Sequence, residues 1–179
     1  MTFDHLWAGW RSAYVTSVSD AFGPPEELAL APGKETTAEE CVFCRLLAPV
    51  AADEHFVVFR GPRTAAILNA YPYASGHLLV LPTRHLRRIT ELEEAESAEL
   101  WATTRDATVA LERAYEPDGL NLGANLGRAA GAGLPDHLHL HVLPRWVGDT
   151  NFMTTVASVR VLPEALSDSF SRIVAAWPR

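Results

Sequence analysis

The sequence predicts an α+β fold with a mainly antiparallel sheet. Three features support this class: short apolar runs bounded by turn residues, one long stretch with helical periodicity, and further strand-like segments after it. The chain has 179 residues, of which 48% are hydrophobic and 21% are charged. This length and composition suffice for one sizeable core. We therefore expect a single domain over residues 41–179, preceded by an extension over residues 1–40.

Three apolar runs near the centre of the chain predict the first strands. Residues 55–60 and 63–71 are separated by Gly61-Pro62, which is typical of a hairpin. Residues 76–82 follow a turn-forming stretch that contains proline, serine and glycine. Each run is short and apolar, as expected for a buried strand.

A long helix is predicted after these strands, from about Thr90 to Tyr115. Thr90 and Glu93 have the spacing of a capping box, and Pro117 and Gly119 would end the helix. Side chains that recur at helical spacing define its expected buried face. They are Leu92, Trp101, Thr104, Thr108, Leu111 and Tyr115.

Strand character returns in the second half of the chain. Residues 119–127 alternate apolar with small or polar side chains, and residues 137–146 alternate histidine with aliphatic residues at their start. A loop rich in glycine and alanine separates the two segments. Residues 156–177 predict a short strand and then a C-terminal helix.

The first 40 residues are expected to lie at the periphery of the domain. An aromatic-rich start is followed at 22–34 by a stretch with glycine and proline, which predicts a loop. The aromatic side chains are expected to pack onto the main domain, with a lid or a dimer contact as the alternative. They are Phe3, Trp7, Trp10 and Tyr14. This start does not resemble a signal peptide, so we expect a cytoplasmic protein.

Charge and hydropathy narrow the classes of partner. The net charge is −7 at pH 7 and the sequence pI is about 5.4, which disfavours a general nucleic-acid-binding face. A small phosphate ligand is compatible with this charge, because local donors decide such a contact, and Arg128 and Arg145 flank the histidine run. No apolar run reaches the roughly 18 residues that a membrane helix needs. We therefore expect neither a nucleic-acid nor a membrane partner.

Three histidines, His137, His139 and His141, are spaced two residues apart. Alternate side chains leave the same face of a strand, so the imidazoles are expected to share one surface while the intervening aliphatic residues enter the core. A neutral imidazole can attack phosphorus and leave again, and a second histidine can donate to the phosphate oxygens. The nucleophile needs one bare ring nitrogen, with the other donating to a backbone carbonyl. A purely structural role is the alternative.

The segment before this strand predicts a phosphate-binding loop. Glycines let the backbone approach a ligand closely and present amide donors to it. Turns use glycine as well, and it is the adjacent histidines that favour a phosphate site. The loop residues concerned are Gly123, Asn125, Gly127, Gly131 and Gly133.

The two cysteines of the chain, Cys41 and Cys44, have Cys-x-x-Cys spacing. In a cytoplasmic protein this spacing favours metal binding or redox chemistry over a structural disulfide. With two histidines the pair could complete a tetrahedral zinc site. A thioredoxin-like dithiol is the rival interpretation, although no βαβ pattern surrounds the cysteines.

The run HLHLHVL at 137–143 resembles the signature of the histidine triad family of nucleotide hydrolases and transferases. The resemblance covers most of residues 41–155, including the segments at 68–85 and 121–152. Within the family the chain is most similar to the actinobacterial diadenosine-tetraphosphate phosphorylases and their dinucleoside-polyphosphate hydrolase relatives. The resemblance implies an antiparallel five-stranded half-barrel sheet with one long helix and a C-terminal helix, in a chain that forms homodimers.

The resemblance also implies a reaction and the residues that perform it. The expected activity is hydrolysis or phosphorolysis at the α-phosphate of dinucleoside polyphosphates or related adenylylated compounds. His139 would be the nucleophile that becomes nucleotidylated, and His141 would contact the α-phosphate. His137 would complete the catalytic set. Asn69 would bind ribose hydroxyls, and Asn125 would contact phosphate or the leaving oxygen.

One departure from the family pattern precedes the triad. The family usually has a hydroxyl side chain there, whereas this chain has Ala132-Gly133-Leu134. Gly133 can still offer its backbone N–H to the nucleotide. The departure keeps open a nucleotide-binding protein without turnover, and a nucleotidyltransferase that uses another acceptor is a further alternative. His77 is expected to pack or to form hydrogen bonds rather than to react.

In zinc-bearing relatives, the cysteine pair is joined by a histidine just after a strand that ends in proline and by the first triad histidine. The resemblance therefore implies a structural zinc held by Cys41, Cys44, His85 and His137. Such an ion would connect the N-terminal segment to the catalytic strand and would keep His137 neutral. With four protein ligands it would have no open position for water.

Overall fold

The computed structural model describes residues 36–48, 56–149 and 164–178. The chain divides into two compact units, Met1–Glu35 with Gly148–Val161 and Thr36–Val147 with Leu162–Arg179. Every helix and strand described below belongs to the second unit. The predicted N-terminal aromatic patch and the predicted short strand after residue 155 lie outside the described residues. The predicted domain boundary at residue 40 stays a prediction.

Five strands and three α-helices form this unit within the described residues. The strands are β1 (Val57–Arg60), β2 (Thr64–Leu68), β3 (Leu78–Pro82), β4 (Gly119–Gly123) and β5 (Leu140–Arg145), and the helices are α1 (Val42–Leu46), α2 (Glu94–Tyr115) and α3 (Leu166–Ala176). Two 3-10 turns, Ile89–Glu91 and Arg128–Ala130, precede α2 and follow β4. None of the helices in the described part of the chain combines the length and apolar character of a membrane span.

The five strands form one antiparallel sheet in the order β1-β2-β3-β5-β4. This sheet, with its long helix and its C-terminal helix, confirms the predicted fold class. β5 lies between β3 and β4, so Leu79 and Gly123 both stand opposite His141 in the register. The centre of β5 is therefore enclosed on both sides by neighbouring strands. The short helix α1 was not predicted from the sequence.

Each face of the sheet is covered by a separate core. Helices α2 and α3 pack on one face, where Leu138, Leu140 and Val142 join their buried side chains. Residues around α1 cover the other face, where Phe43 packs with alternate residues of β2 and β3. Because both faces are covered, every residue of β2 and β3 is buried. The three triad histidines project toward the α1 side, since the aliphatic residues next to them occupy the other core.

The start of α2 differs from the prediction. Thr90 lies in the preceding 3-10 turn, and the capping box is formed by Glu93 with Glu96. Glu96 is buried and also pairs with Arg84, with 2.7 Å between Arg84 Nη2 and Glu96 Oε2. The ion pair with Arg84 holds the Glu96 side chain where it can accept the backbone N–H of the N-cap residue, Glu93.

The buried face of α2 is also shifted from the predicted one. Trp101 was predicted to be buried but is 56% exposed. The helix buries Thr104 and Leu111, as predicted, and also Leu100 and Ala107. Small residues such as Ala107 allow the helix backbone to approach the sheet, so the alanines rather than the large aromatic residue define the contact face.

The histidine strand is shorter than predicted. β5 begins at Leu140, so His137 and His139 precede its hydrogen-bonded part. The Leu138 N–H donates to the carbonyl of Leu86 at 2.7 Å, beyond the end of β3, and so leaves the regular ladder. The alternation of side chains nevertheless continues through this segment, because Leu138 and Leu140 enter the same core.

Candidate active site and metal cluster

The three triad histidines lie together but face different partners. His139 and His141 have ring centroids 5.1 Å apart in an edge-on arrangement. His137 lies against the cysteine pair, with its Nδ1 at 3.3 Å from Cys41 Sγ. His137 and His139 are both buried. The triad thus divides into one residue that joins the cysteines and two that face each other.

His139 has the hydrogen bond that a histidine nucleophile requires. Its Nδ1 lies 2.8 Å from the carbonyl oxygen of His137, and a carbonyl can only accept, so Nδ1 carries the proton. Its Nε2 is therefore the bare nitrogen of the neutral ring. Burial lowers the pKa of His139, against the opposing effect of this hydrogen bond. The ring is neutral at pH 7, which is the form that can attack phosphorus.

His141 has the opposite tautomer, set by a chain of donors. The backbone N–H of Tyr73 donates to His77 Nδ1 at 3.0 Å, so the His77 proton lies on Nε2. His77 Nε2 then donates to His141 Nδ1 at 2.9 Å. The remaining proton of His141 is on Nε2, which leaves an N–H to donate to a ligand. Burial, followed by the neighbouring His139, lowers the pKa of His141 to about 4, so it donates as a neutral group.

His77 forms hydrogen bonds, as predicted, and one of them joins it to the histidine triad. It is fully buried, and the Asn69 amide also donates to its Nδ1 at 3.3 Å. The Asn69 side-chain oxygen in turn accepts from the Tyr71 N–H at 3.0 Å. The contact of His77 with His141 comes from the pairing of β3 with β5, since His77 directly precedes β3. Asn69 is thus held beside the histidines through His77.

The glycine-rich loop begins and ends at the histidines. It leaves β4 at Gly123, opposite His141 in the register, and reaches His137 after the Arg128–Ala130 turn. Gly127 and Gly131 have φ of 83° and 86°, a backbone region that favours glycine. Within the described residues no hydrogen bond joins Asn125 to the histidines, and Gly133 is exposed. The roles expected of Asn125 and Gly133 therefore stay predictions.

The predicted metal ligands converge. Cys41, Cys44, His85 and His137 each present one ligand atom, and these atoms all lie within 4.8 Å of one another. Cys44 Sγ lies 3.4 Å from His85 Nδ1 and 3.6 Å from His137 Nδ1. The separations match the sulfur–nitrogen edge of a tetrahedral zinc site, which is about 3.6 Å for usual bond lengths. Both cysteines are free thiols.

The hydrogen bonds around this cluster leave the Nδ1 atoms of His85 and His137 unprotonated, as metal ligands must be. The second ring nitrogen of each histidine faces a carbonyl: His137 Nε2 lies 2.9 Å from Pro82 O, and His85 Nε2 lies 2.9 Å from Thr36 O. These contacts place the protons on Nε2 and direct Nδ1 toward the cysteines. Burial lowers the pKa of His137 to about 4, so its ring is neutral at pH 7. The four residues therefore fit a metal ion.

The cysteine electrostatics also fit a cation. Burial, followed by the neighbouring Cys41, raises the pKa of the Cys44 thiol to about 12. Two adjacent thiols cannot both ionise there without a positive charge, which a bound metal would supply. The two histidine Nδ1 atoms that face the cysteines favour metal binding over the thioredoxin-like alternative.

The comparison with known proteins identifies the family. The model of the HIT domain matches residues 51–147, which include the sheet and the three histidines. The chain belongs to the HIT domain family. This chain is 43% identical over 127 residues to the AP-4-A phosphorylase of Mycobacterium tuberculosis. The match covers 71% of this chain and 65% of that protein. The match thus spans less than two thirds of that relative's length, and the similarity fits the actinobacterial branch.

Other HIT proteins are similar to this chain in sequence and in structure. The chain is 32% identical to the asymmetrical bis(5'-nucleosyl)-tetraphosphatase of Schizosaccharomyces pombe, over 52% of this chain and 50% of that protein. A solved zinc-bound histidine triad protein of Mycobacterium smegmatis superposes with a TM-score of 0.64 at 28% identity, covering 78% of this chain and 94% of that one. A hypothetical histidine triad nucleotide-binding protein of Sulfolobus tokodaii superposes with a TM-score of 0.63 at 31% identity, covering 76% of this chain and 91% of that one.

Proposed function

We propose that this protein cleaves dinucleoside polyphosphates, or related adenylylated compounds, at the α-phosphate through a nucleotidyl-His139 intermediate. One observation carries the proposal. The Nδ1–H of His139 is bound to the carbonyl of His137, so Nε2 is bare and the neighbouring His141 presents an N–H. The similarity to an AP-4-A phosphorylase and to a bis(5'-nucleosyl)-tetraphosphatase supports this substrate class.

The proposed reaction has two displacements at one phosphorus. The lone pair of His139 Nε2 forms a bond to the α-phosphorus, and the bond to the bridging oxygen breaks as the remaining nucleoside polyphosphate leaves with the electron pair. Water or inorganic phosphate then attacks the nucleotidyl-histidine, the phosphorus–nitrogen bond breaks with its electron pair returning to Nε2, and the proton of the attacking group is released. Water gives a nucleoside monophosphate and phosphate gives a nucleoside diphosphate. Splitting the displacement lowers the barrier of each step.

His141 stabilises the charge that develops on the phosphate oxygens. Its Nε2–H donates as a neutral group, aligned before the reaction by His77, and a preorganised donor of this kind contributes most in a buried site. His77 acts through His141 and is therefore a positioning residue. Asn69 is assigned to the ribose hydroxyls, and Asn125 with the Gly133 N–H to the phosphates, as the family resemblance implies.

The Cys41, Cys44, His85 and His137 cluster is assigned to a structural zinc ion. The donor atoms, their separations and the bare Nδ1 atoms support this assignment. When bound, zinc would supply the positive charge that keeps the cysteines ionised. Because the cluster offers four protein ligands, the ion has no position for substrate, and the chemistry remains with the histidines.

A turnover screen with trapping of the intermediate tests the function. Purified protein is incubated with diadenosine polyphosphates and adenosine phosphoramidate, with and without inorganic phosphate. A nucleotidylated His139 peptide after acid-free quenching, and a diphosphate product only when phosphate is present, are the expected results for a phosphorylase. Monophosphate under both conditions indicates a hydrolase. Capture by a different acceptor would support the transferase alternative, and tight binding without turnover would support the non-catalytic one.

We also propose a cytoplasmic homodimer built on the edge of the sheet. β4 is an edge strand whose residues are exposed apart from the half-buried Leu120, and Leu122 is 51% exposed. An exposed edge strand with a large apolar side chain is suited to pairing with a second copy. Light scattering on the full chain should give twice the monomer mass, and Leu122→Lys should shift the mass toward the monomer.

A further inference from the structure

Phe43 links the cysteine pair to the proposed nucleophile. It lies between the two cysteines on α1 and is 4% exposed. The rings of Phe43 and His139 meet edge to face, with their centroids 5.1 Å apart and an interplanar angle of 61°. Its contact with His137 has a separation of 5.5 Å and an angle of 86°. One ring therefore contacts both a metal ligand and the nucleophile.

A second connection runs through the backbone. The ring of His137 faces Cys41 and Cys44, while its carbonyl oxygen accepts the Nδ1–H of His139. The position of the His137 ring and the position of its carbonyl are coupled, because they belong to the same residue at the start of β5. The metal cluster is thus connected to His139 in two ways, by the hydrogen bond from His139 to the His137 carbonyl and by the contact with the Phe43 ring.

Helix α1 depends on the cluster for its order. It has five residues, and no side chain caps its N-terminus. A helix of this length is not stable by itself, since nucleation outweighs the few hydrogen bonds that it forms. What holds it is the Cys41 and Cys44 contacts with the histidines, together with the core contacts of Phe43 and Leu47. The cysteine contacts and these core contacts together fix the position of the Phe43 ring.

We propose that Phe43 is a positioning residue for His139, and that the Cys41/Cys44 helix turn holds the nucleophile ring in its reactive orientation. Phe43 packs against the imidazole from the side of the cysteines, and His137 holds Nδ1 through its carbonyl, so the ring can neither rotate nor exchange tautomers. The metal cluster then has a role in catalysis without contacting the substrate. This inference rests on the proposed function, since it takes His139 as the nucleophile.

Three variants separate positioning from general stability. Phe43→Leu keeps an apolar side chain at the site but removes the ring edge, and Phe43→Ala removes most of the contact. Val57→Ala is the matched control: it removes apolar volume from the same core, but on β1, which is separated from β5 by two strands. Each protein is assayed with its metal content measured, so that loss of the ion is recognised.

The expected result is a selective loss in the first chemical step. In Phe43→Leu the rate constant for nucleotidyl-His139 formation should fall roughly tenfold or more, with substrate KM changed less than about twofold, because a small misplacement of a nucleophile is costly. Val57→Ala should change this rate constant by less than about twofold. In ¹⁵N-resolved NMR of the substrate-free protein, His139 should have a single Nδ1–H tautomer in the wild type and a mixture in Phe43→Leu. Cys44→Ser should produce the same mixture.

Two results would overturn the inference. One is an unchanged rate constant and an unchanged His139 tautomer in both Phe43 variants. The other is a rate loss that Val57→Ala reproduces, which would make the effect one of stability alone. Failure of the proposed function has a different outcome, in which the wild type forms no nucleotidyl-histidine at all. The NMR comparison needs no substrate and still decides whether Phe43 orients the ring.

Discussion

The proposed metal cluster and the pair of His139 and His141, which is proposed to be phosphate-facing, use the imidazole group in opposite ways. In the cluster, His85 and His137 bind backbone carbonyls through Nε2 and turn a bare Nδ1 toward the cysteines. In the pair, His139 binds a carbonyl through Nδ1 and leaves Nε2 bare, while His141 accepts at Nδ1 and keeps a proton on Nε2. Each histidine thus has one nitrogen assigned by its neighbours and the other available for chemistry.

The difference between the two regions lies in the hydrogen-bond partners, not in the residue type. In the proposed roles, a carbonyl at Nε2 leaves Nδ1 for a metal ion, a carbonyl at Nδ1 leaves Nε2 for nucleophilic attack, and a histidine donor at Nδ1 leaves an Nε2–H for a phosphate oxygen. His137 belongs to both regions, since its ring joins the cluster and its carbonyl serves His139. Removing a residue of one region should therefore have consequences that differ in kind from those in the other.

The largest effect is expected in the phosphate-facing pair. His139→Ala removes the atom that bonds phosphorus, so turnover should fall by roughly a thousandfold or more. The measurement is steady-state turnover with a diadenosine polyphosphate, together with adduct trapping. The metal content should not change, because His139 contacts no cysteine in the described structure. Near-native turnover in this variant would remove His139 from the mechanism.

Loss of a metal ligand should be seen first in the metal content and in the free energy of unfolding. Cys41→Ser should lower the zinc content far below one equivalent and reduce the free energy of unfolding by about 4 kcal/mol, the contribution of a ligand present at about a thousand times its dissociation constant. Metal analysis and denaturant unfolding measure the two effects. Val57→Ala, a core variant outside the cluster, should lose stability and keep its metal. A wild type with little zinc, unchanged in Cys41→Ser, would contradict the assignment.

His77 tests whether the tautomer chain matters to the pair. His77→Leu removes the donor to His141 Nδ1, so kcat should fall roughly tenfold to a hundredfold, with a smaller change in KM. His77→Gln retains an amide donor and should recover part of the loss. Equal rates in the two variants would show that size, and not hydrogen bonding, is what position 77 supplies.

The smallest effect is a dependence of stability on pH. The pKa of His141 is lowered from 6.5 to about 4 in the folded protein, so as the pH falls this histidine is protonated in the unfolded chain before it is protonated in the folded one. Stability from this group is complete above pH 6.5 and is lost as the pH falls toward 4, by about 2 kcal/mol after allowance for partial exposure. His141→Gln should lack this part of the loss. Unfolding free energies from pH 7 to pH 4 measure the difference, and parallel curves would refute it.

Local patterns predicted much of the fold because they report burial directly. The hairpin around Gly61-Pro62, the third strand and the C-terminal helix follow from short apolar runs and turn residues. The boundaries were less predictable. α2 starts at Glu94 and β5 at Leu140 because of two contacts distant in sequence, the Arg84–Glu96 ion pair and the Leu138–Leu86 hydrogen bond. Such contacts leave no periodic signal.

The sequence by itself determined which residues could react: the alternating histidines, the cysteine spacing and the glycine-rich loop are all visible in one dimension. Only the tertiary structure decided what each histidine does. Protons on imidazole are assigned by whichever carbonyl, amide or ring lies within about 3 Å, as the hydrogen-bond length requires. Those neighbours, Pro82 for His137 and His77 for His141, come from strands that meet only in the folded sheet.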